Sequence, residues 1–568
     1  MANLYDKSSL VMIPSGKKDG TVFSQKPVDG SGDFTFSRGS NLAATRVGAD
    51  GLIEKGRENL LLYSNQFDTT WVKAASATLT SGQSGYNGSS DAWLLTKGNL
   101  YSNIYQNLSQ GNVCTFSFYA KANTYSWLML HIEDSAGDAI VSFNLNDGSI
   151  GGQIKNISAS TESLGNGWYR CSITALKNAT QFRIYPNETD WYSGASGSIY
   201  IQDAQVEIGL AATDYIESGA TTGKAGLLED EPRFDYSGGA TCPSLLLEPL
   251  RTQLIGQTEY FGIWTNVSSN PVDVVNNFAI SPEGVQNASK LTFNGANSWK
   301  ASPSMNLTQQ TYTGSVYMRV EDGGGDISVF LSIYATGTGA VRQDVPITIT
   351  SEWQRFEAVF DNWTIGTGST YFVIRSNTDG RSCLAYGAQL ESGSYPTSYI
   401  PNHSGGTITR GDDDMNLLNF QSNNLFSVDS GFIFYEFESI DDLFVGWTSS
   451  QSKDRFQYYD IDGFAGGYFR FRGYESNISL QVVNLGASPS SLIIPDGSKK
   501  VCISWNASSF SLFADGSKIG TMTTTSSIAV NSISNYQGNL GNKEALMKKM
   551  LWGSQNLSDA DCITLTTI

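Results

Sequence analysis

One segment of this chain occurs twice. Residues 59–72 and 252–265 each lead from an apolar pair through a polar step to an aromatic residue and then to a tryptophan, Trp71 or Trp264. The likeness continues downstream, where residues 167–170 match 352–355, and residues 204–209 with 214–216 match 388–393 with 398–400. Self-similarity over so long a period indicates two copies of one structural unit.

The composition favours β-structure. The chain has 568 residues, a length that suggests three or four domains. Charged residues make up 16%, whereas Gly is frequent at 58 residues, and Gly with Asn supplies the left-handed positions of hairpin turns. Aromatic residues at 12% provide the apolar surface that disordered chains lack. The sequence therefore predicts an all-β, multidomain array of β-sandwiches or jelly rolls.

Clusters of turn-forming and charged residues between the strand-like runs divide the chain into predicted segments. These are an N-terminal arm (1–58), module 1 (59–217), a connector (218–251), module 2 (252–401) and a terminal sandwich (402–568). Module 2 is predicted to repeat the jelly roll of module 1. A capping-box pattern that begins at Ser558 predicts a short C-terminal helix.

The predicted arm has too little apolar material for a core of its own. Its apolar residues fall in short pieces, and the proposed attachment segment comprises Leu10, Val11, Ile13, Phe34 and Phe36. We expect the arm to be extended and to dock either on the next domain or on another subunit.

Charge and hydropathy exclude several partners. The net charge is −18 and no basic run is present, so nucleic acid is a poor partner, because phosphate binding needs clustered Lys and Arg. No apolar run approaches 18 residues, so we expect no membrane insertion. The first residues contain no apolar stretch typical of a secretory leader, and the chain is expected to be made in a cytoplasm.

Catalytic patterns are missing from the sequence. The two histidines, His131 and His403, are too few for the usual histidine-based sites, and no nucleophile–base arrangement can be assembled around them. The 54 acidic residues include no pair that stands out as a general acid and base. We therefore expect a protein that is not an enzyme; a polysaccharide depolymerase is the less favoured alternative.

Clustered aspartates are the sequence's one indication of a metal. Asp460 and Asp462, followed by Gly463, match part of a calcium loop, and residues 412–414 are three consecutive aspartates. Carboxylate oxygens suit Ca²⁺, but an ordinary turn and a solvated linker explain the same residues. No other cofactor is expected.

Aromatic residues in polar surroundings are candidates for glycan binding. Trp191, Tyr192, Trp363 and Trp447 are flanked by polar residues rather than by strand-like alternation. Sugar rings stack on such side chains, but a subunit interface uses the same residue types, and for Trp191 and Tyr192 both interpretations stay open. The tryptophans that recur in both modules are assigned to core packing; they are Trp71, Trp168, Trp264 and Trp353.

Several strings resemble tailed-phage virion proteins. Residues 33–40, 44–47 and 51–54 resemble the opening of such proteins, and residues 59–64 resemble the start of their carbohydrate-binding-module-like domains. Residues 233–236 with 245–252 are similar to their connector, and residues 388–401 to the end of a module. The hairpin at 509–520 and the terminal residues 557–561 resemble a concanavalin-A/laminin-G jelly roll.

This resemblance implies a homo-oligomer, often a trimer, on the virion surface. The chain would be a head or tail fibre whose arm attaches to capsid or tail proteins. Its modules would present weak sites for cell-surface glycans, and several copies would multiply weak contacts into avidity. The alternative is a purely structural capsid decoration protein without a ligand.

Overall fold

The structure is a computed structural model, and it describes residues 2–39, 42–194, 196–416, 425, 430–440, 460–463, 467–474, 477–484, 490–494, 498–506, 509–523 and 545–567. Strands dominate these residues, and the predicted all-β class is confirmed. Helix α1 spans Ala2–Lys7 and helix α2 spans Asp559–Thr566. Ser558 caps α2 by accepting a hydrogen bond from the Asp561 amide, as the capping pattern predicts.

The arm consists of short strands. These are β1 (Leu10–Met12), β2 (Lys17–Lys18), β3 (Thr21–Val22), β4 (Phe34–Ser37), β5 (Thr45–Val47), β6 (Ile53–Lys55) and β7 (Arg57–Asn59). Strands β2, β3 and β4 form a small sheet, and β5 pairs with β6. The arm therefore adds strands to other parts of the chain instead of enclosing a core.

Module 1 is a β-sandwich. Its strands are β8 (Val72–Ala74), β9 (Thr78–Gln83), β10 (Ala92–Lys97), β11 (Asn103–Gln110), β12 (Val113–Ala122), β13 (Trp127–Glu133), β14 (Ala139–Asn144), β15 (Ile150–Ile154), β16 (Ser158–Gly165), β17 (Trp168–Leu176), β18 (Ala179–Asn187) and β19 (Gly197–Ile208). Sheet 1A has the order β16-β17-β12-β19-β10-β9, and sheet 1B has the order β15-β14-β13-β18-β11-β8. Fully buried residues from both sheets meet in one core, for example Phe116 and Phe118 from 1A with Leu128 and Leu130 from 1B.

The connector also consists of short strands. These are β20 (Gly223–Ala225), β21 (Arg233–Asp235), β22 (Ser244–Leu247) and β23 (Arg251–Gln253), with a 3₁₀ turn at Ser237–Gly239. Strand β20 pairs with β7 of the arm, so both boundaries of module 1 are tied together.

Module 2 is a second sandwich. After a 3₁₀ turn at Phe261–Ile263, its strands are β24 (Thr265–Asn266), β25 (Val272–Ile280), β26 (Gln286–Asn294), β27 (Ser298–Ala301), β28 (Tyr312–Val320), β29 (Ile327–Ala335), β30 (Gln343–Ile349), β31 (Gln354–Phe360), β32 (Thr370–Ser376) and β33 (Asp379–Ser392). Sheet 2A has the order β31-β28-β33-β26-β25, and sheet 2B has the order β30-β29-β32-β27-β24.

The strand order confirms the duplication. Without β16, sheet 1A reads β17-β12-β19-β10-β9, which is the order of sheet 2A strand for strand. Without β15, sheet 1B matches sheet 2B in the same way. Module 1 therefore differs from module 2 by two added edge strands, β15 in sheet 1B and β16 in sheet 1A.

Matching hydrogen bonds stabilise both modules. The Asn59 side-chain oxygen accepts from the Val206 amide, and the Gln253 side-chain oxygen accepts in the same way from the Leu390 amide. The indole N–H of Trp71 donates to Tyr63 O at 3.2 Å, and that of Trp264 donates to Gln257 O at 3.3 Å. These recurring tryptophans are buried, as predicted for Trp71 and Trp264.

A β-bulge occurs at the same point in both modules. The register between β12 and β19 shifts beside Asp203, and that between β28 and β33 shifts beside Gly387. Both residues have left-handed backbone angles, with φ of 49° and 60°. The long strand pairs with the same neighbour on both sides of the bulge, which bends the strand and increases its twist at this point.

The C-terminal sandwich borrows strands from distant segments. After module 2, β34 (Ile408–Arg410) pairs with β23 of the connector and β35 (Asp414–Asn416) with β4 of the arm. The strands of the sandwich are β36 (Gly431–Ile440), β37 (Asp460–Gly463), β38 (Gly467–Tyr474), β39 (Asn477–Asn484), β40 (Ser490–Ile494), β41 (Lys500–Asn506), β42 (Ser509–Ala514), β43 (Ser517–Thr523) and β44 (Ala545–Gly553). The main sheet has the order β21-β22-β44-β36-β41-β42-β43, so connector strands complete it, and β1 also pairs with β44. Strands β37 to β40 form a separate sheet.

The arm docks on its own chain, which corrects the expected attachment segment. Leu10 and Val11 are buried where β1 pairs with β44, and Phe34 and Phe36 are buried where β4 pairs with β35. Ile13 is 37% exposed. Four of these five side chains therefore pack within the chain and are not available to attach it to another protein.

A buried cluster of charges, the ionic hub, joins the arm, the connector and the residues that follow module 2. Glu248 pairs with Arg233 and Arg410, while Asp413 pairs with Arg233 and Arg38. All five side chains are shielded from solvent. Asp413 is therefore a buried ion-pair partner of two arginines, whereas the sequence left a solvated linker and a calcium site open for residues 412–414.

The described part of the chain contains no helix long and apolar enough to cross a membrane.

Candidate functional site

Each module has an outer face on the side of sheet B that is turned away from the core. Alternate residues of a strand point to opposite faces, so the residues between buried core positions line this outer face. In β13, His131 lies between the core residues Leu130 and Ile132, and in β29, Phe330 lies between the core residues Val329 and Leu331. We call these surfaces outer face 1 and outer face 2.

Outer face 1 has an aromatic–arginine pair at its centre. The guanidinium carbon of Arg183 lies 4.7 Å from the ring centroid of Tyr105, the neighbouring residue across strands β18 and β11. Arg183 Nε donates to Glu133 Oε2 at 2.6 Å. His131, on the other side of Arg183, lies 6.0 Å from the ring of Tyr185. Because burial lowers the pKa of His131, this histidine adds no charge at neutral pH.

Outer face 2 has the same pair in a larger form. Trp299 of β27 lies beside Arg375 of β32, and the guanidinium carbon of Arg375 is 5.7 Å from the indole centroid. Tyr334 packs against Trp299 with a centroid distance of 5.3 Å. The indole N–H donates to Asn297 Oδ1 at 2.6 Å, which fixes the orientation of the ring.

The two pairs lie on matching strands, two residues apart in register. Tyr105 pairs with Val72, the residue after Trp71, whereas Thr265, the residue after Trp264, pairs with Ala301 and not with Trp299. Each module thus presents one aromatic ring beside one arginine on the same two strands of its outer face.

A loop at residues 188–194 covers one end of outer face 1. In module 2 the corresponding strands β32 and β33 are joined by a tight turn, so this loop is an addition of module 1. Trp191 is 37% exposed and Tyr192 is half-buried, with ring centroids 5.7 Å apart. A Cβ added to Gly152 would lie 3.1 Å from the Trp191 ring, so the indole rests against bare backbone of β15 on one side.

Tyr192 links the loop to the outer face. Its ring centroid lies 5.3 Å from that of Tyr185 and 5.8 Å from that of Tyr101, which is 59% exposed. The predicted residues Trp191 and Tyr192 therefore belong to a larger aromatic surface, where one side of the Trp191 ring is open to a ligand.

Trp363 has to be corrected as a surface candidate. Its side chain is 1% exposed, packs against Tyr312 and donates its indole N–H to Gln310 O at 2.9 Å. The polar residues beside it belong to a surface loop, but the ring itself enters the core of module 2.

The remaining predicted positions are described in part or not at all. Trp447 lies outside the described residues. The backbone of Asp460 and Asp462 lies in strand β37, paired with β38, and their side chains are outside the described part, so calcium binding there stays a prediction. Among the described residues, no group of three or more His, Cys, Asp or Glu side chains could hold a metal ion.

Sequence reasoning missed the central residues of both outer faces. Tyr105 and Trp299 stand in strands and were not among the predicted site residues. The position of each residue in the strand alternation could have indicated its exposure. Tyr105 follows the buried Ile104, so an aromatic residue occupies the solvent side of an alternating strand.

A cluster of charged residues lines a pocket of about 210 Å³ between module 1 and the end of module 2. Lys55 Nζ lies 3.0 Å from both Glu259 Oε1 and Glu283 Oε2, and Arg57 pairs with Glu283. Burial lowers the pKa of His403, also in the pocket, to about 4. Because these carboxylates face cations, the cluster is suited to fixing the modules relative to each other rather than to acid–base catalysis.

Comparison with known proteins yields no family. No protein-family model and no curated protein matches the chain. Among solved structures, the chain is similar to the N-terminal CBM22-1–CBM22-2 tandem domain from Paenibacillus barcinonensis Xyn10C, with 11% identity over 63% of this chain and 100% of that one and a TM-score of 0.23.

Two other similar structures are shorter. One is a family 16 carbohydrate-binding module-2, at 16% identity over 22% of this chain and 89% of that one, with a TM-score of 0.17. Another is a CBM4 structure, at 13% identity over 24% and 84%, also with a TM-score of 0.17. Scores this low carry no argument about ligands. These three solved structures are carbohydrate-binding modules, and any ligand of this chain has to be inferred from its own surface.

Proposed function

We propose that this chain is a multivalent carbohydrate-binding protein that binds glycans on outer faces 1 and 2 and catalyses no reaction. The observation that carries the proposal is the aromatic–arginine pair on the matching outer strands of both duplicated modules. Core packing explains neither pair, because both lie on the side of sheet B away from the core.

The chemistry of these faces suits a sugar. An aromatic ring offers an apolar surface for the C–H face of a pyranose, while adjacent charged groups can hydrogen-bond its hydroxyls. The arginines are already oriented, Arg183 by Glu133 and Arg375 by Asn297, which lowers the entropic cost of binding. Each site is small, so useful affinity would come from several sites acting together.

As its biological setting, we propose the surface of a tailed-phage particle, where the chain would form an oligomeric fibre, with trimers as the first expectation. The support is the likeness of residues 33–40, 233–236 and 388–401 to virion proteins, together with the proposed glycan binding. Immunogold labelling of purified particles tests the location, and light scattering of the purified chain tests the oligomer; an unlabelled particle or a monomer would contradict this part.

Glycan binding itself is tested by substitution on the outer faces. We expect Trp299→Ala and Tyr105→Ala each to weaken binding to a glycan array about tenfold, because each removes the stacking surface of one face. Trp353→Ala is the control, since Trp353 is a half-buried aromatic residue outside the outer faces. Unchanged array signals in the double variant Trp299→Ala/Tyr105→Ala would contradict the proposed sites, and a wild-type chain that binds no glycan would contradict the function.

A further inference from the structure

The two outer faces differ in charge. On outer face 1, Arg183 is matched by Glu133, and Asp138 lies 3.1 Å from His131 Nε2, so the face has no excess of positive charge. Outer face 2 has a second arginine, Arg342, whose guanidinium carbon lies 4.6 Å from the centroid of Trp299.

Both arginines of outer face 2 share a single carboxylate. Asp344 Oδ2 lies 2.9 Å from Arg342 Nη2 and 3.2 Å from Arg375 Nη2. Asp361 is not a second carboxylate for these arginines, because it accepts a hydrogen bond from Gln343. Gln343 pairs with the core residue Ile333, so its side chain lies on the core side of β30. Outer face 2 therefore has one positive charge in excess, although the whole chain carries −18.

Arg342 and Arg375 keep hydrogen-bond donors that the described contacts do not use. Arg375 donates to Asn297 Oδ1 at 3.1 Å and to Asp344, while its buried Nε has no partner among the described residues. Among those residues, Arg342 has no ionic or hydrogen-bonding partner besides Asp344, and its side chain is 33% exposed. A guanidinium group offers a planar fork of donors that fits a carboxylate in a bidentate arrangement.

Trp299 lies beside both guanidinium groups, whose carbons are 4.6 Å (Arg342) and 5.7 Å (Arg375) from its ring centroid, and it supplies the aromatic surface next to them. A sugar ring lying on this indole would bring a substituent within reach of Arg342 at its edge. A neutral hydroxyl would satisfy one donor there, whereas a carboxylate would satisfy two and also neutralise the excess charge.

We propose that outer face 2 binds glycans that contain hexuronate residues, with the sugar ring on Trp299 and the carboxylate on Arg342. The inference rests on the proposed glycan-binding function and narrows its ligand class for this face. Outer face 1, without excess positive charge, binds neutral sugars in the same scheme.

Affinity electrophoresis of the full chain tests the inference, with polygalacturonate or alginate in one set of gels and neutral xylan or dextran in the other. We expect Arg342→Gln to weaken retardation by polyuronates at least tenfold and to leave retardation by neutral glycans unchanged. Raising NaCl from 50 to 500 mM should weaken polyuronate binding by a similar factor, because the contact is ionic.

Arg319→Gln is the matched control. Arg319 also lies on a tryptophan of module 2, with its guanidinium carbon 5.7 Å from the Trp353 centroid, but at the opposite sheet. The Arg319→Gln variant should bind polyuronates and neutral glycans as the wild type does. Salt-independent binding of neutral glycans alone, or equal polyuronate binding by Arg342→Gln and the wild type, would overturn the inference and leave glycan binding intact. Absence of binding to every polysaccharide would instead overturn the proposed function.

Discussion

A single lysine positions the aromatic loop of outer face 1. Lys97 is buried, and its ammonium group donates to Pro186 O at 3.1 Å, Asn187 Oδ1 at 2.9 Å and Ser193 O at 3.0 Å. Burial lowers the pKa of Lys97 to about 8, so the group is mostly charged at neutral pH. The oxygens lie at both ends of the loop, and one cation therefore holds the Trp191 ring over β15.

Removing this ammonium group should loosen the loop. We expect Lys97→Met to cost about 1–3 kcal/mol, because the aliphatic stem is kept while three buried oxygens lose their donor. Hydrogen–deuterium exchange should rise at residues 188–194, and Trp191 fluorescence should shift to the red. Lys73→Met, at an exposed lysine of the same module, is the control. Unchanged exchange in Lys97→Met would show that the loop is fixed by Tyr192 instead.

Whether an individual aromatic ring is buried or exposed could not be predicted from the sequence. Trp363 stands among polar residues and is buried, whereas Trp299 stands between Ser298 and Lys300 and lies on an outer face. Local polarity reports where the backbone lies, but not which way a large ring turns. That direction depends on contacts such as the one from Trp363 to Gln310, which is distant in sequence.

At the level of elements, the duplicated unit depends on one bulge in its longest strand. Gly387 occupies the position of Asp203, and Gly387 is further restricted because an added Cβ would lie 3.2 Å from the Tyr399 ring. Aspartate tolerates left-handed backbone angles better than most residues, which explains why module 1 can do without glycine there.

A side chain at this bulge should destabilise module 2. We expect Gly387→Ala to cost about 1–2 kcal/mol, from the left-handed backbone and the contact with Tyr399. Gly406→Ala is the control, because Gly406 has neither feature. The measurement is chemical denaturation followed by tryptophan fluorescence. Equal midpoints for the two variants would show that the bulge tolerates a side chain and does not constrain module 2.

Strand patterns and the internal repeat were sufficient to predict two β-modules of common architecture. Runs such as residues 113–120 alternate clearly, and repeated strings such as 204–209 and 388–393 fall on the same strand of each copy. Strand-like pieces of the arm near residues 21–23 and 34–36 were also predictable. The pairing of β1 and β22 with β44 was out of reach, since three or four residues carry no recognisable period and their partner lies hundreds of residues away.

Over the whole molecule, buried charges connect segments that packing alone would leave loosely joined. Burial would raise the pKa of Glu248, but Arg410 and Arg233 outweigh it and keep that pKa at about 2. Burial acts on Glu259 in the same direction, and Lys55 and His403 lower its pKa to about 2. Both carboxylates stabilise the fold above pH 4.5, and this contribution is lost as the pH falls towards 2.

On acidification, the buried His403 affects the stability of the fold at a higher pH than the two glutamates do. The pKa of His403 is about 4 in the fold, where burial is the main cause and Glu259, Lys55 and Arg57 are the charges that face it. Between pH 6.5 and pH 4 the unfolded chain binds a proton at His403 that the folded chain does not. Stability should therefore fall over this window, by about 3 kcal/mol at its lower end.

Denaturation midpoints measured from pH 7 to pH 4 for the wild type and His403→Gln test this. We expect the wild type to lose stability on acidification and the variant to lose less, because glutamine takes up no proton. The difference between the two curves isolates His403 from the other groups that titrate. Parallel curves would contradict a neutral, buried His403.

Strand β44 has a consequence for how the protein is made. It pairs with β1, β22 and β36, all of which leave the ribosome earlier, β1 by hundreds of residues. The edge of β1 stays uncovered while both modules are translated, and that of β22 while module 2 is translated, since β44 is not yet synthesised. Pairing across such distances is slow and exposes nascent chains to aggregation. Holdase chaperones thus have a defined target in this chain until Ala545–Gly553 emerges.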